Sequence, residues 1–138
     1  MKCRAFLAHK RATNDKRIDQ MVAGATLLLR DRGADFAQVV AGRDDFKARS
    51  ASLGGWKPWQ RDVATGQDEY GIATFDAIIV PDLQIGKATA EMVRAAIGVQ
   101  RRVYFWRKGE LVPVVGVETV DANDWKEGWI LQLTPNMD

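Results

Sequence analysis

Cysteine is almost absent from this sequence. Cys3 stands alone, so an intrachain disulfide and a cysteine-rich zinc site are both excluded, and a reducing compartment is the natural setting. His9 is likewise the single histidine, and no metal or other cofactor is expected. Long apolar runs are missing: none approaches the roughly 20 residues of a membrane span, and the N-terminus lacks the uninterrupted apolar core of a signal peptide. A cytoplasmic protein with no membrane partner is therefore expected. Charge of one sign is missing as well. Lys and Arg number 20 against 18 Asp and Glu, interspersed along the chain, so there is no concentrated basic tract and nucleic acid is not expected as a partner. The slight basicity is compatible with a phosphate-bearing small molecule without demanding one.

What is present is an ordinary globular composition. At 138 residues, with 46% hydrophobic and 28% charged, the chain has the material for one core, and a single domain over residues 1–138 is expected. Residues 3–9 read as a short buried strand ending near His9. Ile18, Met21, Val22, Ala25, Leu28 and Leu29 recur at helical spacing, with Asn14 or Asp15 to cap the start and Gly33 to stop the helix. Residues 36–40 make a second strand, and strand, helix, strand in so short a span favours parallel pairing through a right-handed crossover. From 41 to 71 no period is sustained, and an ordered, partly helical, substrate-facing excursion is expected there. The apolar β-branched run from Phe75 to Val80, closed by Pro81-Asp82, suits a central parallel strand. A helix over about 87–97, a strand over 101–106, a turn at Lys108-Gly109, and edge or terminal strands over 111–120 and 129–133 complete an α/β open parallel sheet flanked by helices.

In such sheets ligands bind beyond the carboxyl ends of the strands. Three polar features share that address: His9-Lys10 after the first strand, Asp82 after the central strand, and Gly86-Lys87 leading to Glu91. Glu91 is expected in about the first turn of its helix, where the dipole favours an ionised carboxylate, suited to a nucleophile or a cation stabiliser. Asp68, eight residues before Asp76, supplies a second carboxyl group; in a shielded cleft it would keep a raised pKa and donate a proton. One charged and one protonated carboxyl is the division of labour that breaking a glycosidic bond requires.

The run 68–82 (DEYGIATFDAIIVPD), followed by Gly86-Lys87-Ala88-Thr89-Ala90-Glu91 and by Ala95-Ala96-Ile97-Gly98, resembles the nucleoside 2-deoxyribosyltransferase family and its relatives, the deoxynucleoside 5′-monophosphate N-glycosidases. The resemblance covers residues 68–106, and residues 3–33 as a general pattern. It implies a flavodoxin-like (Rossmann-like) fold, with Glu91 attacking the anomeric carbon of the deoxyribose and Asp68 handling the proton on the base. It also implies a homo-oligomer, a dimer or larger, in which a neighbouring subunit's late loop completes the site; Asn123 is the candidate on position. Where the family commonly has glycine four residues before the glutamate this chain has Lys87, and Leu83 and Ile85 stand where an acidic residue often precedes it. A lysine beside a glycine at a helix start suits an anion, so a nucleoside 5′-monophosphate ranks with a free nucleoside as the small-molecule partner.

Each feature has a plainer explanation. Glu91 as a helix-start charge is worth about 0.3–1 kcal/mol. Asp68 serves equally as a solvated loop charge, His9 as a strand-end residue satisfied by backbone groups, and Lys10, Arg11 and Lys87 as solvated cations. Trp56 and Trp59 either clamp a nucleobase or staple the long loop to the core. The basic and aromatic letters of residues 101–108 are those of a strand with charged flanks.

The leading expectation is cleavage or transfer at the N-glycosidic bond of a 2′-deoxynucleoside or its monophosphate through a carboxylate nucleophile. A TIR-like NAD glycohydrolase is the second, since Ala5-Phe6-Leu7-Ala8-His9 and a helix-borne glutamate fit that pattern loosely. The third is a non-catalytic module that binds or sequesters a nucleotide. An acidic residue missing before Gly86 favours it.

Overall fold

The computed structural model describes residues 2–10, 13–34, 36–42, 76–98, 100–121 and 129–135. Strand β1 (Lys2–Leu7) leads to helix α1 (Asp15–Asp31) and strand β2 (Phe36–Ala41). Strand β3 (Ala77–Val80), the two-residue strand β4 (Gln84–Ile85) and helix α2 (Lys87–Gly98) follow. Strands β5 (Arg102–Arg107), β6 (Glu110–Asp121) and β7 (Trp129–Pro135) end the described chain. Together they form a mixed α/β structure on a seven-stranded sheet ordered β2-β1-β3-β5-β6-β7-β4.

Helix α1 has clear chemical ends. The Asn14 side chain accepts from the Arg17 N–H at 2.8 Å, satisfying one of the amides a helix start leaves open. At the other end the chain turns through Gly33 at φ +99°, a region glycine enters without a Cβ penalty. The Gly33 N–H donates to Arg30 O at 3.0 Å and the Ala34 N–H to Leu29 O at 3.2 Å, the paired bonds of a Schellman stop. Leu29 and Ala34, the residues that motif brings together, are both buried in one core. Gly24 lies inside α1, where glycine has a helix cost; its bare surface faces Trp106 of β5, and a Cβ there would come within 2.7 Å of the indole Cη2.

The four strands β2, β1, β3 and β5 pair in parallel, with Lys2 opposite Phe36, Leu7 opposite Ile79, and Ala77 opposite Arg102. Alternation sends successive residues to opposite faces. Ala5, Leu7, Ala77 and Ile79 join Ile18, Met21, Ala25 and Leu29 of α1 in one core. Phe6, Ile78 and Val80 join Met92, Val93 and Ala96 of α2 in the other. A helix therefore lies on each face of the parallel half.

The rest of the sheet departs from the open parallel arrangement expected. β5–β6, β6–β7 and β7–β4 are all antiparallel. For β5–β6 and β6–β7 connection length is the reason, since a parallel return needs a dozen or more residues. Arg107 pairs with Glu110 across only Lys108 and Gly109, both at positive φ (48° and 81°), the geometry of a tight hairpin turn. β6 pairs with β5 through Pro113 and with β7 from Val114 onward, and a register shift falls between Val114 and Gly116, just inside the second ladder.

The sheet must also curl. β4 follows β3 after three residues, a span of about 14 Å at most. A flat sheet would set the two strands four spacings apart, about 19 Å. β7 therefore bends back towards the carboxyl end of β3. The expected excursion over 41–71 and the irregular segment 121–128 lie, apart from their first residues, outside the described residues.

Candidate functional site

The carboxyl ends of β1 and β3 lie side by side. The Ala8 N–H donates to Ile79 O at 2.8 Å, carrying the pairing one residue past β1. Two residues beyond the Leu7–Ile79 pair stand His9 on one strand and Pro81 on the other, with Asp82 next. His9 Nδ1 donates to the Lys10 carbonyl at 2.8 Å, which in the neutral ring puts the proton on Nδ1. Both His9 and Asp82 are half-buried.

Gly42, which sequence reasoning did not single out, makes this corner possible. A Cβ at that position would lie 3.2 Å from the Leu7 carbonyl, 3.3 Å from the Phe6 ring and 3.7 Å from His9 Nε2. Glycine lets the end of β2 close against β1 and the histidine. The available signal was a glycine directly after a strand, which marks close backbone approach.

Helix α2 opens on the same end of the sheet. The Ala90 N–H donates to Gly86 O at 2.9 Å, so Gly86 is the N-cap and Lys87 the first helical residue. Gly86 has no side chain with which to cap the amides of the first turn. It is exposed, with open space where a Cβ would stand, so crowding does not explain the glycine. Glu91 is the fifth residue of α2 and opens its second turn; the first turn holds no acidic residue. This corrects its expected place. The dipole fades within the first turn, so at a rise of about 1.5 Å per residue Glu91 gains less from it than a carboxylate at the helix start.

The backbone thus places His9 and Asp82 just beyond the carboxyl ends of two neighbouring parallel strands, with Gly86, Lys87 and Glu91 following on the turn and helix after β3. The side chains of Lys87 and Glu91 lie outside what is described. Asp68, Trp56, Trp59 and Asn123 lie outside the described residues altogether. Among the described residues no group of three or more His, Cys, Asp or Glu side chains is placed to hold a metal ion. None of the described helices is long and apolar enough to cross a membrane.

Comparison with family models, with curated proteins and with solved structures returned no match. The chemistry of the site therefore rests on this chain's own residues.

Sequence reasoning also missed β4 and what it does. Gln84 and Ile85 pair antiparallel with Gln132 and Leu131 of β7, so the segment between Pro81 and Gly86 is anchored to that strand. A two-residue strand is too short to carry a period, so nothing in the sequence could announce it. Cys3, by contrast, belongs elsewhere. It precedes His9 by six residues on an extended strand, about 20 Å away near the amino end of the sheet.

Proposed function

We propose that this protein cleaves or transfers at the N-glycosidic bond of a 2′-deoxynucleoside or its 5′-monophosphate, with Glu91 as the carboxylate nucleophile on a flavodoxin-like fold. The observation that carries the reading is the position of Glu91, on a helix that starts at Gly86, just beyond the carboxyl end of the central parallel strand β3. The parallel strands run in the order β2-β1-β3-β5, which agrees with the first four positions of the flavodoxin-like order and makes that end of β1 and β3 the natural ligand crevice.

The chemistry is a displacement. A Glu91 oxygen bonds to the anomeric carbon as the carbon–nitrogen bond breaks, and the departing base takes up a proton from Asp68. Water arriving at the glycosyl–enzyme ester gives hydrolysis, and a second base gives transfer. The open amides of the α2 start, with Lys87 beside them, favour a substrate that carries a phosphate.

The test is release of free base, followed by chromatography, from deoxynucleosides, deoxynucleoside monophosphates and NAD. Release from a deoxynucleotide is expected, and Glu91→Gln lowers it on the order of 10³-fold or more while the fold is kept. Nicotinamide release from NAD would replace this reading with the TIR-like one. A second reading, a module that holds a nucleotide without turnover, is favoured by the place of Glu91 beyond the first helical turn. Saturable binding with no release would establish it.

A further inference from the structure

The turn that delivers the chain from β3 into α2 is held from a distance in sequence. Gln84 and Ile85 are laddered to Gln132 and Leu131, and the next rung is a hydrogen bond in which the Leu133 N–H donates to the Leu83 carbonyl at 2.9 Å. The Leu133 side chain has no solvent exposure. It shares its core with Val80, the last residue of β3, and with Met92 and Val93 of α2. One residue of the terminal hairpin therefore fixes the main chain of the turn and fills the space between the strand that precedes it and the helix that follows.

We propose that Leu133 is a positioning residue for the candidate site: through the turn 81–86 it sets where α2 begins and so where Glu91 stands. The catalytic part of this statement rests on the function proposed above; the positioning part does not. Three features support it. Gly86 follows Ile85 directly, so a displacement of β4 reaches the helix start with no intervening residue to absorb it. Gly86 caps α2 with its carbonyl alone and has no side chain with which to secure the helix start locally. β4 has two residues, and β7 is the strand it pairs with among the described residues. The start of the helix thus depends on a long-range partner more than on its own sequence.

Leu133→Ala is best compared with Leu29→Ala, the same truncation in the core on the other face of the sheet. Amide hydrogen exchange is read on the segment 84–90 under conditions where both variants stay folded. Leu133→Ala is expected to raise exchange there about tenfold or more above Leu29→Ala, because the opening is local to the turn. Leu133→Met, similar in volume and with the same amide, restores the protection. Equal exchange in the two alanine variants, or a methionine variant no better than alanine, overturns the proposal. If either alanine variant fails to fold, Leu133→Val and Leu29→Val carry the same comparison.

The exchange measurement requires no turnover, so a wild-type protein that releases no base counts against the glycosidic reading and leaves the positioning result standing. With an active wild type, Leu133→Ala lowers kcat well below that of Leu29→Ala. Equal kcat values would remove Leu133 from the site while leaving that reading intact.

Discussion

The thiol of Cys3 lies in the core beneath α1, and burial raises its pKa above the ordinary 9.0; the Asp76 carboxylate adds to the rise and Arg102 opposes it. In the unfolded chain the thiol ionises at its ordinary value, whereas the folded state resists ionisation. The contribution to stability is therefore fully present below pH 9.0 and is lost as pH climbs towards the raised folded value. Urea unfolding at pH 7 and pH 10 is expected to show wild type losing more stability over that interval than Cys3→Ala. In the native state the thiol is expected to react slowly with alkylating reagents and in denaturant quickly. His9 and Gly42 illustrate how unevenly single residues could be read. The scarcity of histidine drew attention to His9, but the glycine that makes room beside it is one of 12, and only the folded contact distinguishes it.

Among the elements, α1 was the most legible, because its start, stripe and stop are all local chemistry: Asn14, the apolar positions from Ile18 to Leu29, and Gly33. α2 shows the limit of that approach. Its apolar face and approximate length could be read, but its end is made by Gln100 at φ 61°, a conformation that suits glycine. The Gln100 N–H donates to Ile97 O at 3.0 Å and the Arg101 N–H to Ala96 O at 2.8 Å, so the stop is the same as that of α1 with the less suited residue in the left-handed position. Gln100→Gly is therefore expected to stabilise the protein by roughly 0.5–1 kcal/mol, read as a higher midpoint in thermal or urea unfolding. A lower midpoint would mean that the Gln100 side chain holds something that outweighs its backbone cost.

At the scale of the whole molecule, the sheet joins two cores that share no strand residue among those described. Ile78 and Ile79 are adjacent on β3 and fully buried, yet Ile78 packs in the core of α2 and Ile79 in that of α1. Truncating either to alanine is expected to cost about 2–5 kcal/mol. Because β3 is paired on both sides, each truncation should shift a single unfolding transition followed by fluorescence and by circular dichroism. Two separated transitions would show that the faces unfold independently. The parallel half of the sheet was legible as strand, helix, strand, and so was the address of the candidate site beyond β3. The antiparallel half was not, because 111–120 and 129–133 read as strands without any statement of their partners.

Sequence by itself determined what depends on neighbours along the chain: the longer strands and the two helices, where α1 starts and stops, and that polar residues follow the first and central strands. Tertiary structure decided what depends on pairing across the chain. β6 pairs with β5 as far as Pro113 and with β7 from Val114, and β7 returns to hold β4. Glu91 stands between these two kinds of information. Its place on a helix after the central strand follows from residue pattern, but the start of that helix is set by Gly86 and by a hydrogen bond from Leu133, and a contact so distant in sequence leaves no period to read.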